Sequence, residues 1–277
     1  MNKKNFDQDI VDDFGDEWEA YDYSSNDSKE LEKQFLKYFS VFPWSKVTNG
    51  VGVDLGCGTG RWAKFAAEKV ALLICLDASN KVVQVAKKNT IENENCHVIK
   101  GRIDDLPFLD SSLDFAYSLG VLHHLPDTLD AIKKCTKKLK PGAPFLLYLY
   151  YAFDNRPIWY LFVWKLSDFF RKIISSSPFY IKYPLSVIIA LTIYFPLARL
   201  SLLLEKINFD ITNIPLSHYR SKSFYMLRTD ALDRFGTKVE RRFTKKQIKI
   251  MMENADLVNI KFANNEPYWC VVGIKST

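Results

Sequence analysis

Three glycines in five residues, Gly56-Cys57-Gly58-Thr59-Gly60, are followed 17 residues later by an acid, Asp77. Of all the patterns in this chain, this one is best suited to hold a small ligand. Glycine lets a ligand approach the backbone closely, because no Cβ intervenes. A carboxylate at a strand end accepts hydrogen bonds from both hydroxyls of a ribose. Further on, His123-His124 offers imidazoles that exchange protons near neutral pH. Tyr151 and Asp154 offer a hydroxyl and a carboxylate as further proton acceptors.

These residues need a frame. Val51, Val53 and Leu55 read as a short apolar strand entering the glycine loop, and Trp62 to Val70 as a helix leaving it. Leu72 to Leu76 is an all-apolar strand ending in Asp77. A helix over Asn80–Asn89, strands at 97–99 and 113–119, a helix over 128–139 and a strand at 145–151 follow. Strands alternating with helices predict a parallel sheet covered on both faces. Its buried strands lose polar alternation, as these do. The predicted fold class is α/β, a doubly wound, mostly parallel seven-stranded Rossmann-like sheet. Ligands bind in such sheets beyond the carboxyl ends of the strands.

The loop alone admits several nucleotide ligands. A dinucleotide fingerprint wants GxGxxG; from Gly56 the last position is Arg61, and from Gly58 the match is displaced along the loop. A nicotinamide-dependent oxidoreductase therefore stays a rival. A Walker loop fails, since no Gly-Lys-Ser/Thr follows.

Val53-Asp54-Leu55-Gly56-Cys57-Gly58-Thr59-Gly60 resembles the first motif of class I S-adenosylmethionine-dependent methyltransferases. Asp104-Asp105-Leu106-Pro107-Phe108 and Leu113-Asp114-Phe115 resemble the third and fourth motifs. Ser118 to Asp127, with Leu139-Lys140-Pro141-Gly142, is similar to the quinone-methyltransferase-like (methyltransferase type 11) subgroup. The likeness is strong over residues 50–151 and looser over 243–275.

The resemblance implies S-adenosyl-L-methionine as cofactor and gives residues roles. Asp54 would serve the amino-acid end, and Gly56, Cys57, Gly58 and Gly60 the methionine and ribose. Asp77 would take the ribose hydroxyls and Ala78 the adenine face. Ile103, Asp104 and Ser118 complete the expected cofactor set. Arg102 stands where the subgroup often has the acid that meets the adenine amine, so Asp104 is expected to replace it. A non-catalytic binding protein would share every one of these motifs.

An activated methyl needs an aligned acceptor and, for a hydroxyl, a base. His124 and His123 are the first candidates, Asp154 and Tyr151 the second. No Asn/Asp-Pro-Pro-aromatic turn follows the fourth strand and no Pro-Cys pair exists. Adenine, glutamine and cytosine-C5 methylation are therefore not favoured. The expected acceptor is a small or lipid-like molecule methylated at oxygen or carbon. No metal is expected, and no nucleic acid is favoured.

Composition agrees with a globular enzyme: 48% hydrophobic and 25% charged residues exclude a disordered tail or a coiled coil. Five cysteines with no CxxC pair fit neither a disulfide framework nor a zinc site. The start of the chain lacks the apolar core of a signal peptide. A cytoplasmic protein is expected, peripheral to the inner face of a membrane if it touches one. The net charge of +6 divides unevenly, residues 1–60 holding 6 Lys and Arg against 12 Asp and Glu.

The aromatic excess, 14%, collects in an insertion. Four segments are expected: an acidic helical cap over 1–45, a cofactor-binding core over 46–154, an aromatic helical insertion over 155–225 and a completion of the sheet over 226–277. Ser28–Ser40 reads as an amphipathic helix. Tyr183 to Ala198 carries no charge but contains Pro196, which argues against a spanning helix. The insertion is expected to form a lid over a greasy acceptor pocket, with peripheral membrane contact through 157–204. Interfacial helices without a lid, and plain core packing, are the alternatives.

Overall fold

The computed structural model describes residues 5–23 and 28–277, and the chain divides into two compact units. The first comprises the residues up to Ala152 together with Glu240–Thr277; the second is Phe153–Val239.

The first unit is a seven-stranded sheet in the order β3-β2-β1-β4-β5-β7-β6. Its strands are β1 (Val51–Leu55), β2 (Leu72–Asp77), β3 (Cys96–Lys100), β4 (Phe115–Leu119), β5 (Pro144–Tyr148), β6 (Leu257–Phe262) and β7 (Cys270–Lys275). The first five pair in parallel, while β7 runs antiparallel between β5 and β6. This is the expected doubly wound sheet. The order reverses at β1, and the two loops leaving β1 and β4 open at the same edge. That is where such sheets place their ligands.

Helices α1 (Gln8–Ala20), α2 (Ser28–Tyr38), α3 (Ala63–Ala67), α4 (Asn80–Asn89), α5 (Thr128–Lys137) and α10 (Lys245–Glu253) belong to this unit. On one face Phe35, Phe39, Ala63, Ala66 and Ala86 pack on Leu73, Phe115 and Tyr117. On the other, Ala131, Ile132, Ile248 and Met252 pack on Val53, Ala116 and Phe145. Each fully buried Leu, Ile or Phe contributes about 1.5–3 kcal/mol. Local chemistry sets the helix ends: Asp127 caps α5 and the Thr244–Gln247 capping box opens α10.

The second unit holds α6 (Ile158–Ser175), α7 (Phe179–Ile189), α8 (Phe195–Lys206) and α9 (Phe224–Gly236). A π-turn, Ala190–Tyr194, joins α7 to α8. Pro196 follows the π-turn, in which the Phe195 N–H reaches back to the Ala190 carbonyl and so takes up the irregularity that a missing N–H imposes. The helix therefore continues through the proline from Phe179 to Lys206, contrary to the interruption expected at Pro196. Ala190, Tyr194 and Ala198 pack on Leu227, Ala231 and Phe235 of α9. The unit extends past 225 to Val239 because α9 packs on both α6 and α7.

One glycine is held by packing alone. A Cβ on Gly52 would stand 2.3 Å from the Phe115 ring in the neighbouring strand. Gly52→Ala should lower the stability to urea by about 1–3 kcal/mol. Adding Phe115→Leu should recover part of that loss, which a double-variant cycle would measure.

Candidate functional site

β1 ends in a turn whose three glycines all take positive φ, at 76°, 53° and 75° for Gly56, Gly58 and Gly60. A Cβ at Gly56 would also strike Val121 at 2.6 Å. At Gly58 an added Cβ would meet only Trp18, whose Nε1 would lie 3.8 Å away in ordinary van der Waals contact. Gly58 is thus bare backbone facing an indole.

Asp77 reaches the same turn from β2. Its Oδ2 accepts the Gly58 N–H at 3.1 Å and its Oδ1 accepts the Ser79 N–H at 3.0 Å. Each oxygen keeps a lone pair. Burial pushes the Asp77 carboxyl up to about 6, against the pull of the Ser79 and Gly58 N–H groups. Ala78 beside it is half-buried. Asp54 is fully buried in β1, and burial pushes its carboxyl well up, opposed by the Tyr117 hydroxyl. Cys57 is buried; against the downward pull of its hydrogen bond with the Cys75 thiol, burial and then the Asp77 and Asp54 carboxylates push its thiol up to about 11.

Buried polar atoms stand at two turns. Thr59 Oγ1, inside the glycine turn, is buried with no hydrogen-bond partner among the described residues, as are both ring nitrogens of His123 on the separate turn after β4. Such atoms cost free energy unless a ligand meets them. Donors and acceptors beside a bare glycine turn and a ribose-type acid fit an adenosyl amino-acid group.

β4 delivers the histidines. The chain leaves it into a short 3₁₀ turn, Leu122–His124, with both rings buried. Their centroids lie 4.0 Å apart, and His123 lies 4.0 Å from the Tyr150 ring. Phe14 of α1 meets His124 edge-on at 4.9 Å. Burial holds His123 well below the usual imidazole range, with His124 and Arg242 adding to the effect. It is therefore a neutral imidazole at pH 7.

Several expected residues are placed differently. Both oxygens of Asp104 are held by Arg102, at 2.9 and 2.6 Å, and the guanidinium lies 3.7 Å from the Phe6 ring centre. The Arg102 fork holds the acid expected to meet an adenine amine and leaves each of its oxygens one lone pair. Ile103 is buried in the core beside it. Ser118 donates its hydroxyl to the Leu55 carbonyl at 2.9 Å and so ties β4 to β1. Tyr151 turns toward Tyr268, and Tyr150 takes its place beside the histidines, since successive residues of an extended chain face opposite sides. Asp154 is exposed in a turn of the second unit.

The acidic N-terminal segment reads only weakly in the sequence, yet it builds much of the site. Asp7 caps α1, and Ile10, Phe14 and Trp18 recur every four residues on one face. Asn5 clamps Asp127, donating to its carbonyl at 2.7 Å and accepting its N–H at 2.8 Å. Lys81 of α4 pairs with Asp16 and Glu19 at the other end. Arg61 stacks among Trp18, Tyr23 and Trp62. The N-cap and the four-residue spacing were the signals available. Among the described residues no group of three or more His, Cys, Asp or Glu side chains could hold a metal.

Residues 53–147 match a family model described as a methyltransferase domain. Over 117 residues the chain is 33% identical to a demethylmenaquinone methyltransferase of Staphylococcus aureus, covering 41% of this chain and 46% of that protein. The chain thus matches less than half the length of that relative. A Thermotoga maritima S-adenosylmethionine-dependent methyltransferase superposes with a TM-score of 0.53 over 97% of this chain and 100% of its own, at 15% identity. Human N-acetylserotonin methyltransferase with S-adenosylmethionine bound gives 0.53 over 90% of this chain and 54% of its own, at 14% identity. Both share the fold.

A carboxyl raised to about 6 in the folded chain, against about 3.9 unfolded, costs stability that is complete above pH 6 and vanishes below about pH 4. Asp77→Asn removes that cost but gives up one of two acceptors. The variant should be more stable by about 1–2 kcal/mol at pH 7.5. Melting curves of the two proteins should converge as pH falls from 6 to 4.

Proposed function

We propose, from the premise that residues 53–147 belong to the methyltransferase-domain family, that this protein is an S-adenosylmethionine-dependent methyltransferase. The observation that carries the proposal is the bare backbone of Gly58 hydrogen-bonded to Asp77 beneath Trp18. When bound, the sulfonium group supplies a methyl that is already activated.

The chain's own residues do the rest. Asp77 accepts the ribose hydroxyls with its unspent lone pairs, and Ala78 packs on the adenine. Asp54 and the turn 56–60 hold the amino-acid end. The Arg102 fork leaves Asp104 with lone pairs of its own, a weaker hold on the adenine amine. Trp18 and Phe14 exclude water from the loop and the histidine pair. Holding donor and acceptor in line contributes about 7–11 kcal/mol of barrier lowering.

The acceptor is a small or lipid-like molecule methylated at oxygen or carbon. The relative is named for methyl transfer to demethylmenaquinone, which supports this class. The aromatic lining of Phe14 and Tyr150 beside two imidazoles suits a flat, weakly polar acceptor. His123, kept neutral, takes the acceptor's proton, and His124 and Tyr150 hold its ring in place. Five free thiols, with the Cys75 and Cys96 sulfurs 3.4 Å apart, suit a reducing cytoplasm.

Titration calorimetry with S-adenosylmethionine should give saturable heat for the wild type and none for Asp77→Ala. Equal heats would sink the ribose assignment. Because the charged carboxylate is the better acceptor, affinity should fall about tenfold between pH 7.5 and 5, the loss beginning near 6. With an accepted substrate found by a +14 Da (about one methylene) product, His123→Ala should lower kcat by about 10²–10⁴-fold. Cofactor affinity should stay within about twofold, because His123 contacts the acceptor and not the donor.

A further inference from the structure

The helices of the second unit are amphipathic in the sense opposite to that of a water-exposed helix. Along Phe179–Lys206 the buried positions are Lys182, Ser186, Ala190, Tyr194, Ala198 and Ser201, a four-residue repeat of small and polar side chains. The exposed positions are large and apolar, among them Ile188 at 54%, Leu191 at 57% and Leu203 at 61%. Only 22% of the most apolar stretch is buried. On α6, Phe162, Leu166, Phe169 and Ile173 are exposed while Arg171 and Ser175 are buried.

Charges follow the same rule. Lys182 donates to the Gly236 carbonyl at 3.2 Å. Arg199 donates to the carbonyls of Arg220 and Lys222 at 2.6 and 3.1 Å. Arg199 is the one charged residue from Tyr183 to Leu204, so the outer face of that stretch carries none. Small residues between helices with large apolar residues outside is how helices pack in lipid, where the outside needs no water-compatible groups. In water such a face would drive association.

The unit as a whole is basic, with 12 Lys and Arg against 6 Asp and Glu over 153–239. Lys165 and Lys172 stay exposed on α6, and Trp159 stands half-exposed near its start. Anionic head groups attract that charge, and interfacial helices carry this mix of lysine and aromatic residues. Two copies of a unit with net charge +6 would instead repel each other.

Connectivity decides the depth. The insertion leaves from β5 and returns to β6, both strands of one sheet, so the chain must cross a bilayer an even number of times or not at all. Among the described residues a single helix is long and apolar enough to cross. One crossing has no return.

We propose that Phe153–Val239 is a monotopic membrane anchor. Its continuous helix Phe179–Lys206 lies along the acyl boundary of an anionic bilayer, with Lys165 and Lys172 at head-group level. This assignment rests on the exposed faces and not on the methyl-transfer proposal.

Flotation of the full chain with phosphatidylcholine vesicles containing phosphatidylglycerol tests it. The wild type should float and stay bound in high salt. The Ile188→Glu/Leu191→Glu variant should partition about 10²-fold less, since two apolar side chains lose their burial. Both positions face outward, so its melting curve should match the wild type. A wild type that stays below the vesicles, or is stripped by salt, would overturn the insertion. So would a lipid-free dimer that the same variant dissociates, because the face would then cover a second copy. S-adenosylmethionine titrations on the same samples read the cofactor site separately: loss of flotation with intact heats leaves the methyl-transfer proposal standing.

Discussion

The hydrogen bond from the Gly58 N–H to the Asp77 carboxylate is the joint on which the site turns. It links the loop after β1 to the end of β2. It requires a backbone that reaches φ of 53° at Gly58, which a β-branched residue could not do without strain. It also sets the charge state of the acid. The N–H groups of Ser79, Gly58 and Ala78 offset part of the desolvation that raises Asp77, so the carboxylate is available at neutral pH while its remaining lone pairs are poorly solvated. A half-buried acceptor with unsatisfied capacity is a strong ligand for hydroxyl groups, because binding replaces little water.

The sheet makes this joint possible. Parallel pairing of β1 with β2 and with β4 brings three loops to one edge: the glycine turn, the Asp77 corner and the histidine turn. Each is anchored by buried strands, so the polar atoms move little relative to one another. The histidine turn inherits its dryness from the same packing. With Tyr150 against its own ring and Phe14 against the neighbouring His124, buried His123 rests as a neutral imidazole at pH 7. Dryness and neutrality thus have one cause.

Where local pattern and tertiary structure agree, the sequence was legible. The apolar runs of β1 and β2, the glycine turn, Asp77 and the Thr244–Gln247 box were readable because each depends on neighbours within a few residues. The rest depended on distant partners. The fork of Arg102 on both oxygens of Asp104 and the bond of the Ser118 hydroxyl to the Leu55 carbonyl are not visible in local pattern. Tyr150 and Tyr151 differ only in which side of an extended strand they face, and a one-residue offset exchanges them. The helix α1 was masked by its acidity, although Ile10, Phe14 and Trp18 repeat at helical spacing. Its purpose becomes visible only once Trp18 is found over Gly58.

The aromatic insertion was hardest to read because hydrophobic periodicity reports a face and not what that face touches. A helix whose apolar side meets a protein core and one whose apolar side meets lipid give the same pattern. The small and polar residues distinguish them. In a water-soluble helix Lys182, Ser186 and Ser201 would be on the outer side. Here they are buried, Lys182 donating to the Gly236 carbonyl of α9 and the two serines to carbonyls of their own helix. Burying an ammonium is costly unless it is hydrogen-bonded. A helix that buries its hydrogen-bonded lysine and exposes its leucines is poorly matched to water on its outer face, and that mismatch is the physical ground for the proposed contact with acyl chains.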